Sequence, residues 1–197
     1  MSKYILSELK TFYPTSIDAW RNWLKENHEK EPSIWLLCYK QKSANPSISW
    51  SDAVDQALCF GWIDSTRKSV DHESFIQYFT IRKPKSNWSK INKEKVNQLM
   101  EKGLMTEAGL KIIEIAKQNG SWNSLDEVED LIIPEELATA FEKHPGSNDF
   151  YLSLSKSVKK MVLHRIMSAK RPETRAKRID EFVVNAAQGL KPKHLQP

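Results

Sequence analysis

Glycine, cysteine and long apolar runs are scarce in this chain, and each shortage argues against a class of protein. Six of the 197 residues are glycine, so few positions adopt left-handed turns without strain, which favours helices over a many-stranded sandwich or barrel. No Walker phosphate loop, dinucleotide fingerprint or nucleophile elbow occurs, and these motifs mark the commonest nucleotide-binding and hydrolase sites. The motifs therefore indicate no enzyme class.

The two cysteines, Cys38 and Cys59, form neither a disulfide framework nor a metal-ligand spacing. We expect both to be small, buried hydrophobic side chains. A thiol nucleophile made of Cys59 and His72 would have no third residue to orient it. The five histidines are scattered and form no HExxH motif, so we expect neither a metal nor a cofactor.

No stretch of the chain approaches the roughly 20 apolar residues that a membrane-spanning helix needs. The first residues, MSKYILSELKTFYP, lack the apolar run and the small-residue cleavage site of a secretory signal. We therefore expect a cytoplasmic protein without a membrane span.

Charged residues are abundant and unevenly distributed. The formal net charge is +5, but segments 67–103 and 151–197 are rich in Lys and Arg, whereas segment 104–150 is rich in Asp and Glu. Segments of opposite charge can attract one another within the fold, and the basic ones can also meet an external polyanion. Solvated helix faces that partly neutralise each other are the simpler interpretation.

Three short runs in the first half have the pattern of strands. The run SIWLLCYK has the composition of a buried strand, and segments 60–66 and 75–82 alternate between two faces. These runs predict a small antiparallel sheet of about three strands. Ser49 is expected to cap a helix that continues through Leu58, and Thr15 has the spacing of a cap for the helix after Pro14.

The chain from Ser89 onward has the periodicity of helices. Further helix starts are predicted at Thr106, Pro134, Ser155 and Pro172. The predicted fold class is α+β, a small antiparallel sheet with packed helices followed by a helical C-terminal half. We expect an α+β region over 1–103 and a helical region over 104–197, packed together as one globular unit.

Five motifs occur in the chain in a characteristic order: ALCFGWID, RKPKSNWSKIN, GLMTEAGLKIIEIAKQNGSW, PEELATAF and AKRPETRAKRID. With them the chain resembles the YdeI/OmpD-associated proteins, also called the bacteriocin-protection family, from Trp20 to about residue 185. The resemblance implies a role in tolerance of bacteriocins or antimicrobial peptides and an association with an outer-membrane porin. It implies no catalytic mechanism and no ligand-binding residues.

The first candidate site lies on the predicted strand 60–66, where Trp62 and Asp64 share one side. A functional interpretation makes them one wall of a pocket, with the indole stacking on a ligand and the carboxylate accepting a hydrogen bond. The structural alternative is that Trp62 fills the core and that Asp64 pairs with Arg67 or Arg82. Asp64 alone identifies no general base, because no partner is evident.

The second candidate site lies at a strand-to-helix junction. There the cations Arg82, Lys83, Lys85 and Lys90 enclose Ser86, Trp88 and Ser89. Cations beside the free N–H groups of a helix start are typical of an anion site, and the indole adds a stacking surface. The structural alternative is that Ser86 or Ser89 caps the helix while the cations are solvated.

The third candidate is a basic helix face with Arg171, Arg175 and Arg178 at spacings of four and three. Such a face can bind the phosphates of a nucleic acid or another anionic partner. Because the segment around Glu127 to Glu136 is acidic, we favour the alternative that these arginines dock on it within the chain.

We therefore predict a non-enzymatic stress-tolerance protein that binds an anionic small molecule or protein partner through Trp62, Arg82, Lys85 and Trp88. Two alternatives stay open. One is a nucleic-acid-binding protein that uses the basic helix. The other is an enzyme centred on Asp64 with Cys59 and Arg82.

Overall fold

A computed structural model describes residues 9–191 of the chain. The first part of the fold contains the strands and four helices: β1 (Thr11–Phe12), α1 (Ile17–Asn27), β2 (Ser33–Tyr39), α2 (Trp50–Cys59), β3 (Trp62–Ser69), β4 (Ser74–Ile81), α3 (Lys90–Glu101) and α4 (Glu107–Gln118). The second part is helical: α5 (Asp126–Glu129), α6 (Glu135–Lys143), α7 (Ser147–Ser153), α8 (Lys156–Met167) and α9 (Pro172–Ala187). This arrangement confirms the predicted α+β fold with a helical C-terminal half.

Within residues 9–191 the sheet has four strands in the order β1-β2-β4-β3. The three predicted strands are β2, β4 and β3, which pair in antiparallel directions. The fourth strand, β1, was not predicted, and it pairs with β2 in parallel through Thr11 and Trp35. A strand of two residues is too short to show an alternating pattern in the sequence. Because β1 is parallel to β2, the sheet is mixed rather than purely antiparallel.

Side-chain caps fix the starts of the helices α1, α2, α3 and α4. Ser49 Oγ accepts from the Asp52 amide at the start of α2, and Thr106 caps α4 in the same way, as predicted. The prediction of Thr15 as the cap of α1 is wrong, because Ser16 Oγ accepts from the Ala19 amide. One residue separates the two hydroxyls, and the sequence pattern does not distinguish them.

The core of the sheet-containing part lies between one face of the sheet and helices α1 and α2. The ring of Trp20 in α1 is tilted against the ring of Phe79 in β4, with 5.4 Å between their centres, and the Trp20 indole N–H donates to the Ala53 carbonyl. Leu36 and Leu58 are buried in the same cluster.

The contacts divide the chain into two compact units, one ending at Asn123 and the next beginning at Ser124. This division lies after the predicted boundary at 103, because α4 packs on α2 within the first unit. The second unit has its own core around Leu137, Leu163 and Val183. Over residues 9–191, none of the helices combines the length and apolar character of a membrane span.

Candidate functional site

A cleft of about 580 Å³ opens at one end of the sheet-containing unit. A shallower polar pocket adjoins it, and Trp50 and Arg67 line both. Volumes of this order are typical of small-molecule sites, which combine apolar walls with a few convergent polar groups. The residues around the two openings are Tyr39, Lys40, Gln41, Ser43, Asn45, Ser47, Ile48, Ser49, Trp50, Asp64, Ser65, Arg67, Phe75 and Gln77.

Arg67 of β3 is held in a defined position although it is exposed. Its Nε donates to the Gln77 side-chain oxygen at 3.0 Å, and its guanidinium lies over the Phe75 ring at 4.3 Å. These contacts leave the two terminal nitrogens without an acceptor among the described residues. A guanidinium fixed through Nε and one flat face can present its remaining N–H groups to a carboxylate or phosphate.

Trp50 and Asp64 line the same pocket as Arg67, whose guanidinium lies 5.7 Å from the centre of the Trp50 ring. Trp50 is the first residue of α2, and its indole N–H donates to Asp64 Oδ2 at 2.9 Å. The Gln77 amide nitrogen donates to the same oxygen at 3.2 Å. The Trp50 side chain is 45% exposed, so part of the ring remains available for stacking against a bound group.

A β-bulge places Arg67 in this cleft. Asp64 pairs with Phe79 and Arg67 pairs with Gln77, so three steps along β3 match two steps along β4. The extra residue shifts the alternation of β3. Regular alternation over 60–66 would place Thr66 on the side of Asp64, but Arg67 is the residue that pairs with Gln77. The pattern of alternation gave no signal for the bulge or for Trp50 as part of the site.

The predicted pair of Trp62 and Asp64 does not share a pocket, because Asp64 lines the pocket that adjoins the cleft and Trp62 does not. Trp62 is 1% exposed, packs edge-on against Trp23 at 5.8 Å and donates its indole N–H to the His28 carbonyl. The core-filling alternative for Trp62 is therefore confirmed. The alternative that Asp64 forms an ion pair is wrong, because within residues 9–191 it bonds to Trp50 and Gln77 rather than to an arginine.

Arg82 and Trp88 do come together, in the interior. The Arg82 guanidinium lies 3.7 Å from the centre of the Trp88 ring, and one nitrogen donates to the Asn87 carbonyl. Burial lowers the pKa of Arg82 to about 10, against the opposing effect of the Asp64 charge. Its Nε and Nη1 are buried and have no acceptor among the described residues.

The other residues of the predicted junction site have separate surroundings. Lys85 is exposed. The Ser86 amide donates to the Lys83 carbonyl in a turn. Ser89 is the cap of α3 and accepts from the Asn92 amide. The capping alternative is therefore confirmed for Ser89 and is wrong for Ser86.

Replacing Arg82 by Met is expected to raise the free energy of unfolding by about 1 kcal/mol, measured by urea denaturation. Met fills a similar volume over Trp88 and removes two buried N–H groups that lack acceptors, and replacing a buried charge by an apolar side chain is often neutral or stabilising. Arg82→Lys is the matched control, because it keeps the charge and loses the flat stacking surface. A loss of stability in Arg82→Met would show that the buried N–H groups find an acceptor in solution.

The basic helix docks on the acidic segment in part. Arg175 pairs with Glu136 at 3.1 Å, which confirms the predicted docking for that residue. Arg178 donates to the Arg165 carbonyl and to Ser168 Oγ at the end of α8. Arg171 is the exposed cap residue of α9. The three arginines therefore have different surroundings rather than forming one free basic face.

The alternative enzyme centre is not assembled around Asp64. Cys59 is fully buried at the end of α2, and burial raises the pKa of its thiol, against the opposing hydrogen bond and charge of Arg21. The pocket lined by Asp64 is formed with Trp50, Ser65, Arg67 and Gln77. In the part of the chain that the structure describes, no three His, Cys, Asp or Glu side chains are grouped as metal ligands.

Two family models match the chain. Residues 12–112 match a family described as a domain of unknown function (DUF8412). Residues 130–189 match the family described as bacteriocin-protection, YdeI or OmpD-associated, which confirms the resemblance. The matched segment contains the motifs PEELATAF and AKRPETRAKRID, whereas ALCFGWID and RKPKSNWSKIN lie within 12–112. No significant match was found among curated proteins or solved structures.

Proposed function

Because the chain belongs to the DUF8412 domain family and carries a bacteriocin-protection, YdeI or OmpD-associated segment, we propose that it is a non-enzymatic tolerance protein that binds a ligand with an anionic group. The family match supports a role related to bacteriocin protection at the level of the family. The proposed binding site is the cleft around Trp50 and Arg67, rather than the junction around Arg82.

The observation that carries this proposal is that Arg67 is held in place while its terminal N–H groups stay available to a ligand. It is exposed, its Nε is held by Gln77, and its terminal nitrogens have no acceptor within residues 9–191. A cation that is already ordered loses little side-chain entropy when it binds an anion, so more of the interaction contributes to affinity. Arg82 is 3% exposed and stacks on Trp88, so an anion could reach it only after the interior opened.

The nucleic-acid alternative has less support. Arg175 is paired with Glu136, and Arg178 is bonded to groups of α8. Binding to phosphates would have to replace those contacts, and its affinity would fall steeply with salt. A gel-shift titration at two salt concentrations distinguishes it from binding at the cleft.

Arg67→Gln is expected to weaken the binding of inorganic phosphate, acetate or N-acetylglycine by at least about tenfold. Charge-assisted hydrogen bonds contribute roughly 1.5–3 kcal/mol each, and a tenfold change in affinity corresponds to about 1.4 kcal/mol. The Trp50 indole N–H, which donates to Asp64 beside Arg67, provides the probe. Its ¹H–¹⁵N resonance should shift during titration of the wild-type protein with the anion that binds.

Lys85→Gln is the matched control, because it removes an exposed cation of the predicted junction site. It should leave the titration unchanged. Equal affinity in wild type and Arg67→Gln, or loss of affinity in Lys85→Gln alone, would contradict the assignment of the cleft.

A further inference from the structure

Asp64 and Arg67 present opposite charges to one pocket without pairing with each other. Both line the pocket that adjoins the cleft, yet no ion pair joins them in the described part of the chain. Gln77 lies between them: its amide nitrogen donates to Asp64 at 3.2 Å and its oxygen accepts from Arg67 at 3.0 Å. The side-chain amide therefore separates a carboxylate from a guanidinium that are three residues apart on β3.

This separation is fixed by the surrounding structure. Gln77 is 2% exposed, and its amide nitrogen also donates to the Ser65 carbonyl at 3.1 Å. The bulge between Asp64 and Arg67 sets their spacing along the strand. Buried amides that satisfy both donors and acceptor are costly to rearrange. Gln77 therefore keeps the Asp64 carboxylate and the Arg67 guanidinium apart, so that both can bind a ligand.

Each charge keeps free bonding capacity. Both bonds to Asp64 reach Oδ2, so Oδ1 has no donor among the described residues. The terminal nitrogens of Arg67 have no acceptor within residues 9–191. A ligand ammonium that donates to Asp64 and a ligand carboxylate that accepts from Arg67 would repeat the two bonds that the Gln77 amide already makes.

We propose that the cleft binds a small zwitterion of the α-amino-acid class, with its ammonium group at Asp64, its carboxylate at Arg67 and its side chain against Trp50. This inference rests on the proposed function, because it requires that Arg67 binds the anionic group. A ligand with only a negative charge is repelled by Asp64, and one with only a positive charge is repelled by Arg67. Opposed charges in one site thus select a ligand that carries both.

The test compares three ligands with the same side chain on the full chain: L-phenylalanine, N-acetyl-L-phenylalanine and L-phenylalaninamide. The second lacks the ammonium group and the third lacks the carboxylate. Titrations followed by the Trp50 indole resonance are expected to show L-phenylalanine binding at least about tenfold tighter than either analogue. Asp64→Asn keeps an acceptor for the Trp50 indole and should abolish the preference for L-phenylalanine over its N-acetyl form.

The outcomes separate the inference from the proposed function. If N-acetyl-L-phenylalanine binds as tightly as L-phenylalanine, or if phosphate or acetate binds and none of the three does, the zwitterion inference is wrong while Arg67 keeps its role. If Arg67→Gln binds every anion as wild type does, the proposed function is wrong as well. The wild-type ligand series decides the inference even if Asp64→Asn does not fold.

Discussion

Replacing Gly109 by Ala is expected to lower the free energy of unfolding by about 3 kcal/mol. Gly109 lies in α4, where alanine ordinarily stabilises a helix by about 1 kcal/mol relative to glycine. Here an added Cβ would lie 2.3 Å from the Cys59 carbonyl oxygen and 2.8 Å from Cε of Met105. Overpacking of this kind forces a backbone shift and is destabilising, so the usual sign is reversed.

The backbone around Cys59 has little freedom to relieve this clash. Its carbonyl oxygen accepts from both the amide and the hydroxyl of Thr106, at 3.1 and 2.6 Å. Moving α4 away would lengthen both bonds and open the packing between α4 and α2. Gly109 therefore sets the closest distance between the two helices.

Urea denaturation measures the effect, with Lys111→Ala as the control on an exposed position of the same helix. The control is expected to change the free energy of unfolding by no more than about 0.5 kcal/mol. A Gly109→Ala variant as stable as the wild type would show that α4 can move away from α2 without loss, against the packing described above.

Much of the fold follows from local signals in the sequence. Ser49, Ser89 and Thr106 are hydroxyl residues before periodic apolar segments, and all three cap helices. The alternation of segment 75–82 puts Phe75 and Phe79 on one face, and in the structure both pack in the core cluster of the first unit. The parallel strand β1 could not be predicted, because its pairing with β2 is a long-range contact of two residues.

The sequence predicts one residue of the candidate site, Asp64, but not its neighbours Trp50 and Arg67. Asp64 was identified, but the indole beside it belongs to Trp50, 14 residues earlier in the chain, rather than to Trp62. The position of Arg67 depends on a bulge that adds one residue to β3. Alternation assumes a regular strand, and a single inserted residue changes which side chain faces the cleft.

The two tryptophans that compete for the role of ligand platform, Trp62 and Trp50, are expected to lose very different amounts of stability on the same truncation. Trp62→Ala should lower the free energy of unfolding by about 3–5 kcal/mol, because it removes a fully buried indole from the core. Trp50→Ala should cost about 1 kcal/mol or less, since the side chain is 45% exposed.

Ligand binding should show the reverse order. Trp50→Ala removes the donor to Asp64 and the ring beneath Arg67, at 5.7 Å from the guanidinium, so affinity for the bound anion should fall. Because Trp50 is then absent, this comparison is made by calorimetry. Trp62→Phe preserves most of the core volume and should bind as the wild type does within about twofold, since Trp62 packs on Trp23 away from the cleft. Weakened binding in Trp62→Phe combined with unchanged binding in Trp50→Ala would show that the ligand stacks on Trp62, as the sequence predicts, and not on Trp50.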